Sequence, residues 1–400
     1  MKSKLFVFLI TLVIGLTIFA CSPQQTQNIP ISTSTNAPTV RPSNTSQPTV
    51  KMPSATATIP LVTQEPVNLP FSEPGPYYVG KWEFTIVDAT RNDRQIQLTI
   101  WYPALRKKDD KGRTITLNAD PDLDEAPYPL ILTGSNSGSY LFQSHLATYG
   151  FVMATVHSPG FSYTAPWNNA VIDAPLDFLF ALDTLTANPP EGLSDVMDTN
   201  RVGVGGYSSD GLFTLALGGA RINPEYYFSQ CAQAPNMDPP IDPFWVDYFC
   251  KLSERWNEFS SQVGAEISTI TEGLWQPTTD DRILAIMPMA SDSAWLYGPE
   301  GLAAINIPSL IISGTADEGY EVSSCYVHEH LVNSDRILIS FIDKGHTKMV
   351  QNKEQRSRIN HFAVAFFGYY LQGHEEYADY FSEEFVSQFD DLYWGVYPNE

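Results

Sequence analysis

The sequence predicts an α/β fold in which helices cover both faces of a mostly parallel β-sheet. Short, continuously apolar runs, typical of buried parallel strands, recur between residues 129 and 342. Helical patterns separate several of these runs, and such alternation produces parallel pairing. The chain has 400 residues, which is enough for one large domain with a hydrophobic core.

Two strands are predicted at the start of the domain, at residues 77–84 and 95–102, joined by the turn Arg91-Asn92-Asp93. Apolar and polar residues alternate from Ile96 to Ile100, the period of a half-buried strand. The later strands are predicted at 129–133, 151–156, 202–205, 283–288, 309–313 and 337–342. Helices are predicted at 141–149, 174–187, 212–217, 249–263 and 359–371.

The alternation stops between about residues 222 and 281, a segment that we call the insert. It is rich in aromatic residues and carries two cysteines, Cys231 and Cys250, which we expect to form a disulfide in an exported protein. The third cysteine of the domain, Cys325, would then be the odd thiol. No spacing of cysteines or histidines suits a zinc site, and we expect no metal or cofactor.

The N-terminus has the pattern of a secretory signal, with Lys2 and Lys4 before an apolar run that ends at Ala20. Cys21 follows at the cleavage point, as in the bacterial lipoprotein lipobox, although an ordinary signal peptide is the alternative. We therefore expect a lipoprotein signal at 1–20, a disordered Ser/Thr/Pro tether at 21–70 and the folded domain at 71–400. Acylated Cys21 would anchor the exported protein on the outer face of a membrane in the bacterial cell envelope.

The formal net charge of -22 excludes nucleic acid as an expected partner, because phosphate binding requires a basic face. It also disfavours electrostatic docking on an anionic membrane. We interpret most of this acidity as a contribution to solubility.

A candidate nucleophile, Ser208, lies in the turn Gly206-Tyr207-Ser208-Ser209-Asp210. An apolar strand precedes this turn and an apolar helix follows it, which is the setting of the G-x-S-x-G nucleophile elbow. The motif requires glycine two residues after the serine, where this chain has Asp210. Asp210 would be tolerated if it pointed to solvent or capped the helix that it opens.

Two later strands end in the residues that a serine nucleophile requires. Asp317 follows the strand at 309–313, and His346 follows the strand at 337–342. Singly, each of the three has a structural alternative, as a turn serine, a helix N-cap or a buried histidine. Together they occur in the order of an α/β-hydrolase triad, with Ser208 as nucleophile, His346 as base and Asp317 as the orienting acid.

An acyl-transfer site also needs two donors for the tetrahedral oxyanion. One is expected from the backbone N–H of Ser209. The other is expected from the loop after the strand at 129–133, through Ser137 or, if the register shifts by one, Asn136.

The chain resembles the platelet-activating-factor acetylhydrolase-like and predicted dienelactone hydrolase branch of the α/β hydrolases, near bacterial polyester hydrolases. The resemblance covers about residues 77–371 and rests on the segments 79–80, 100–104, 129–131, 146–151, 198–204, 314–317 and 345–346. It implies an α/β-hydrolase fold and a serine esterase without metal or cofactor. Three positions depart from the family pattern, namely Tyr207, Asp210 and the turn Gly134-Ser135-Asn136.

The insert would form an aromatic-rich cap, and an aromatic cap over a serine site favours an apolar acyl or aryl ester. The expected partner is therefore a small-molecule or lipid-like ester. The alternative is that its aromatic residues form the insert's own core. Trp167 and Trp295, on loops at the same sheet edge, are predicted to line the pocket. A serine peptidase or amidase of the same fold, or a non-catalytic binding protein on this scaffold, remains an alternative to the carboxylic ester hydrolase.

Overall fold

The computed structural model describes residues 67–106, 115–135, 140–160, 167–237, 240–292 and 294–398. The predicted signal peptide, Cys21 and most of the predicted tether therefore lie outside the described residues. At the described N-terminal end, Val67 and Leu69 pack against the core and Phe71 is buried. The folded part thus includes the last residues assigned to the tether, and the described residues from Val67 onward belong to one compact unit.

The central element is a ten-stranded sheet whose strands are β1 (Tyr78–Asp88), β2 (Arg94–Ala104), β3 (Ile115–Leu117), β4 (Tyr128–Gly134), β5 (Val152–His157), β6 (Met197–Tyr207), β7 (Ile283–Met289), β8 (Ser309–Gly314), β9 (Arg336–Phe341) and β10 (Leu392–Trp394). Their order across the sheet is β10-β9-β8-β7-β6-β4-β5-β2-β1-β3. All eight predicted strands are present, which confirms the mixed α/β class. The two strands that were not predicted, β3 and β10, have three residues each and lie at the edges.

Pairing is parallel from β5 through β4, β6, β7 and β8 to β9. The antiparallel pairs lie towards the ends, where β2 joins β5 and β1, and β10 joins β9. All residues of β4 and β8 are buried, which explains why these strands read as continuous apolar runs. Because the inner strands are parallel, their carboxyl ends meet at one edge of the sheet.

The helices are α1 (Tyr140–Ala147), α2 (Trp167–Ala187), α3 (Ser209–Leu217), α4 (Pro224–Gln233), α5 (Pro243–Cys250), α6 (Trp256–Val263), α7 (Ala265–Ser268), α8 (Gly298–Leu302), α9 (Tyr326–His330), α10 (His346–Gln351), α11 (Lys353–Phe367) and α12 (Glu383–Val386). The side chains of β4 alternate between two core clusters, since Leu130 and Leu132 join one and Ile131 joins the other. Helices α2 and α3 supply the first cluster, and α1 and α11 supply the second. The sheet is therefore covered on both faces. Within the described residues, no helix is long and apolar enough to cross a membrane.

The insert is helical and contains α4 to α7. The helix predicted at 249–263 is interrupted, because α5 ends at Cys250 and a 3-10 turn, Lys251–Arg255, precedes α6. The predicted disulfide between Cys231 and Cys250 is present and joins α4 to α5, with Cα atoms 5.5 Å apart. Trp256 and Phe259 both pack on the buried Trp275, so these aromatic residues form the insert's own core.

Candidate active site

Ser208 occupies a sharp turn between β6 and α3. Its backbone has φ 62° and ψ -124°, a strained conformation for a residue with a side chain. The turn is held from both sides, because the Ser208 N–H donates to the Met289 carbonyl at 2.9 Å and its own carbonyl accepts from the Gly211 N–H at 2.9 Å. Such a turn presents the hydroxyl at the carboxyl edge of the sheet, as an elbow nucleophile requires.

Two glycines allow this turn to close. A Cβ at Gly206 would overlap with the Asp210 backbone, and a Cβ at Gly211 would lie 2.9 Å from Ser291. The close approach that the motif normally assigns to the second residue after the serine is therefore made here by the third, Gly211. This explains how the elbow forms despite Asp210.

Asp210 does not point to solvent, since only 7% of its surface is exposed. Its carboxylate lies against Gly134, the last residue of β4, where a Cβ would overlap with the carboxyl group. It also lies in the first turn of α3, where a negative charge is favoured. Of the two possibilities for Asp210, the solvent-facing one is therefore excluded, and the carboxylate fills a space that Gly134 leaves beside the first turn of α3.

The structure brings the three residues of the predicted triad together. The Nε2 atom of His346 lies 3.0 Å from the Ser208 Oγ atom. Its Nδ1 atom lies 2.8 Å from Oδ2 of Asp317. Each of the three follows the carboxyl end of a parallel strand, Ser208 after β6, Asp317 after β8 and His346 after β9. In serine hydrolases, a hydrogen-bond chain of this kind converts a serine hydroxyl into a nucleophile.

Asp317 and His346 are themselves held in place by neighbouring groups. The second carboxylate oxygen of Asp317 accepts from the Gly319 N–H at 2.9 Å. The Tyr207 hydroxyl donates to the His346 carbonyl at 2.8 Å, and the two rings lie 4.9 Å apart. Tyr207, one of the three departures from the pattern of the family that the sequence resembles, thus helps to position His346.

The charges around His346 favour its protonated form. Burial alone would lower the pKa of the imidazole, but the hydrogen bond and charge of Asp317 outweigh burial. With smaller contributions from Asp292 and Glu318, they raise the pKa of His346 above its ordinary value. An imidazole in this setting accepts a proton readily and stabilises the resulting positive charge.

The oxyanion donors are described only in part. Ser209 is the first residue of α3, so its backbone N–H lies at a helix N-terminus beside the nucleophile, where developing negative charge is stabilised. The other predicted donors, Ser137 and Asn136, lie outside the described residues. The strand that leads to them, β4, is the direct neighbour of β6, so the predicted loop starts beside Ser208.

A second acidic residue, Asp292, lies next to the nucleophile and was not predicted. It follows β7, and its Oδ1 atom lies 3.5 Å from the Ser208 Oγ atom. Desolvation by burial raises the pKa of Asp292 to about 6, despite the opposing effects of a hydrogen bond from Tyr248 and the nearby His346. An aspartate three residues after the strand beside the nucleophile strand was the available sequence signal.

Tyr248 connects Asp292 to the insert. It lies on α5, and its hydroxyl donates to Oδ2 of Asp292 at 3.0 Å. The next residue, Phe249, packs edge-on against Trp295 in the segment after Asp292. The insert therefore contacts the loop after β7 through one polar and one aromatic pair.

The two predicted pocket tryptophans have different outcomes. Trp295 is 1% exposed and packs on Phe249, so it offers almost no surface to a ligand and the prediction that it lines the pocket is wrong. Trp295 is covered by Phe249 of the insert, which is why its side chain is buried rather than exposed to a pocket. Trp167 is the first residue of α2, and its side chain is outside the described part of the structure.

No group of three or more His, Cys, Asp or Glu side chains within the described residues could hold a metal ion. Cys325 is a free thiol, as predicted from the pairing of Cys231 with Cys250, and burial raises its pKa to about 11. A thiol with such a pKa is a weak nucleophile at neutral pH.

A scan against protein-family models finds no match for this sequence, and a search of curated proteins finds no similar chain. The function is therefore inferred from the geometry of the site.

Proposed function

We propose that the protein is a serine hydrolase of the α/β-hydrolase fold that cleaves carboxylic esters. One observation carries the proposal, namely the hydrogen-bond chain from Ser208 through His346 to Asp317, with links of 3.0 and 2.8 Å. The strained turn at Ser208 and the placement of all three residues at strand ends support it.

In the first half of the reaction, His346 accepts the proton of the Ser208 hydroxyl as Oγ forms a bond with the ester carbonyl carbon. The Ser209 N–H and a donor from the loop after β4 stabilise the resulting oxyanion. The carbon–oxygen bond to the alcohol then breaks, and imidazolium donates its proton to the departing oxygen. Asp317 stays ionised and stabilises the imidazolium.

In the second half, His346 takes a proton from water, whose oxygen attacks the acyl carbon. The bond to Ser208 Oγ then breaks, the imidazolium returns its proton to that oxygen, and a carboxylic acid is released. No redox partner is needed, because both halves exchange only protons and one acyl group.

The insert would act as a cap over this site, and its contacts with the loop after β7 support that role. The proposal includes membership of the family that the sequence resembles, the platelet-activating-factor acetylhydrolase-like and dienelactone hydrolase-like enzymes.

The proposal also includes export of the protein with a lipid anchor on Cys21. Labelled palmitate should enter the wild-type chain but not Cys21→Ser, and equal incorporation by both would exclude this anchor.

A second candidate is a non-catalytic binding protein on the same scaffold. It is favoured by two buried acidic residues, Asp210 and Asp292, near the place where an oxyanion would form. Negative charge there opposes the development of more negative charge.

Fluorophosphonate labelling separates the two candidates. The wild-type protein should be labelled at Ser208, and Ser208→Ala should not be labelled, while Ser209→Ala serves as the matched serine control. If the folded wild type is not labelled, the serine hydrolase is excluded and the binding protein remains as the candidate. Comparing p-nitrophenyl esters with p-nitroanilides then distinguishes an esterase from an amidase or peptidase.

A further inference from the structure

The carboxyl group of Asp292 is an unusual neighbour for a nucleophilic serine. Its Oδ2 atom accepts from Tyr248, whereas Oδ1 has, within the described residues, only the Ser208 hydroxyl as a hydrogen-bond partner. The Ser208 Oγ atom lies 3.0 Å from His346 Nε2 and 3.5 Å from Asp292 Oδ1, so the hydroxyl donates its hydrogen bond to the imidazole rather than to Asp292. Oδ1 is thus an acceptor directed at the nucleophile with little of its capacity used.

The backbone of Asp292 is held firmly, which fixes the direction of the carboxyl group. Its N–H donates to the Ser208 carbonyl at 3.2 Å. Its carbonyl accepts from the Ser323 hydroxyl at 2.9 Å. Together with the Tyr248 hydrogen bond, these contacts keep Oδ1 beside Ser208, and a recognition group requires this kind of support.

The sheet order separates Asp292 from the loop after β4, which is expected to supply the second oxyanion donor. Strand β6 lies between β4, which leads to the oxyanion loop, and β7, which leads to Asp292. A carbonyl carbon attached to Ser208 Oγ can therefore direct its oxygen towards the β4 side. A substituent one or two atoms further along the substrate can approach Asp292 on the β7 side.

A buried acceptor costs free energy when a bound ligand leaves it without a donor. If Asp292 is ionised, its charge also opposes the oxyanion during attack on a purely apolar ester. Both costs are offset when the substrate itself carries a donor at this position.

We propose that Asp292 and Tyr248 form a polar subsite that binds a hydrogen-bond donor, a hydroxyl or an ammonium group, close to the scissile carbonyl of the ester. The substrate class would then be hydroxy or amino esters rather than plain alkyl esters. This inference rests on the proposed ester hydrolysis. It assigns Asp292 and Tyr248 to specificity, whereas Asp317 orients the base.

The test compares three esters that differ by one group, ethyl butanoate, ethyl 3-hydroxybutanoate and ethyl 3-aminobutanoate. For the wild type at pH 8, we expect kcat/KM to be at least about tenfold higher for one or both donor-bearing esters than for ethyl butanoate. A preference for the amino ester alone identifies an ammonium ligand, and a preference for the hydroxy ester identifies a hydroxyl. Ethyl butanoate gives the rate of the enzyme on an ester without a donor.

The variants decide which residues carry the preference. Asp292→Leu should reduce the ratio to about one, and Asp292→Asn should remove the preference for the ammonium group, because the charge is lost. Tyr248→Phe should reduce the ratio partially, since Oδ2 loses its donor. The matched controls are Asp247→Asn, on the exposed side of the same helix, and Tyr393→Phe at an exposed edge position, and both should keep the wild-type ratio.

Two results would overturn the subsite. One is a wild-type ratio near one for both donor esters while ethyl butanoate is hydrolysed. The other is a wild-type ratio that persists in Asp292→Asn and Asp292→Leu. Fluorophosphonate labelling of the folded wild type reports separately on the proposed function, because labelling at Ser208 does not depend on a donor in the substrate. If Asp292→Leu does not fold, the isosteric Asp292→Asn with the amino ester still gives the answer.

Discussion

Two loops at the carboxyl edge of the sheet each place a buried aspartate near the same histidine, but the two carboxyl groups face different partners. In the loop after β8, Asp317 bonds to His346 at 2.8 Å and to the Gly319 N–H at 2.9 Å. In the loop after β7, Asp292 bonds to the Tyr248 hydroxyl and lies 3.5 Å from the nucleophile. Both aspartates are 8% exposed, so burial alone does not distinguish them.

The partners distinguish them. Asp317 faces His346, which gains positive charge in the proposed reaction and is stabilised by the aspartate. Asp292 faces a neutral hydroxyl and has no cation as a direct partner among the described residues, and its desolvation raises its pKa to about 6. The role of a carboxyl group near the triad thus depends on the group that it contacts and not on how deeply it is buried.

The largest expected effect is loss of the triad acid. Asp317→Asn should lower kcat/KM by roughly a thousandfold or more, because the amide no longer stabilises the imidazolium and favours the wrong tautomer. Asp292→Asn should leave kcat/KM for ethyl butanoate unchanged or raise it slightly, because the carboxylate charge that opposes the oxyanion is removed. Steady-state kinetics on that ester, with Asp247→Asn as the control, measures both. If the two variants lost kcat/KM equally, the proposed difference between the two aspartates would be refuted. A larger loss in Asp292→Asn would indicate that Asp292, and not Asp317, is the triad acid.

The distinction also marks the limit of what the sequence could predict. Ser208, Asp317 and His346 each follow an apolar strand, so the order of strands along the chain was sufficient to bring them to one edge. The sheet class followed from the same runs. The short strands β3 and β10 have three residues each and carry no periodic signal.

The position of Asp292 just after β7 was visible in the sequence, but no local pattern indicates its role. Its role depends on Tyr248, 44 residues away on a helix of the insert, and on how that insert packs against the sheet. The same holds for Asp210, whose place is set by the absence of a side chain at Gly134 on a neighbouring strand. The prediction for Trp295 failed for this reason, because its burial under Phe249 is a property of packing.

A pH profile tests whether both acids act on the base. The charges of Asp317 and, to a smaller extent, Asp292 and Glu318 raise the pKa of His346. Because the imidazole must be neutral to accept the serine proton, kcat/KM should rise with pH through a pKa above the ordinary histidine value. In Asp292→Asn this acid limb should move to lower pH, since one of the charges that favours imidazolium is gone. A limb that does not move would show that Asp292 stays electrostatically separate from His346.

The free energy of unfolding should depend on pH through the buried carboxyl group of Asp292. The pKa of Asp292 is raised from 3.8 to about 6 in the folded protein, so the folded state binds this proton more tightly than the unfolded chain. Below about pH 4 both states are protonated and no cost arises. As pH rises from about 4 to about 6 the folded state loses stability, and the loss levels off above pH 6 at on the order of 3 kcal/mol.

Asp292→Asn removes that cost and should raise Tm by a few degrees at pH 8 and by less at pH 4.5. Calorimetry at the two pH values measures the difference. Asp247→Asn, which removes the same charge at an exposed position of α5, should show no such pH dependence. If Asp292→Asn is less stable than the wild type at pH 8, the cost of desolvating the Asp292 carboxylate is smaller than the stabilisation from the hydrogen bonds that it accepts.

The smallest expected effect concerns the disulfide that holds Tyr248. Cys250 lies two residues after Tyr248 on α5, and its bond to Cys231 ties this helix to α4. Reduction should loosen α5, so the Tyr248 hydrogen bond to Asp292 is formed for less of the time. We expect the preference for donor-bearing esters to fall by about two- to threefold, a fraction of the full value of one hydrogen bond.

The rate of fluorophosphonate labelling should stay the same on reduction, because the pair of His346 and Asp317 does not involve the insert. Cys231→Ser combined with Cys250→Ser should match the reduced wild type and should not respond to reductant. If reductant still changes the double variant, the effect arises at Cys325, and the link from the disulfide to Asp292 is refuted.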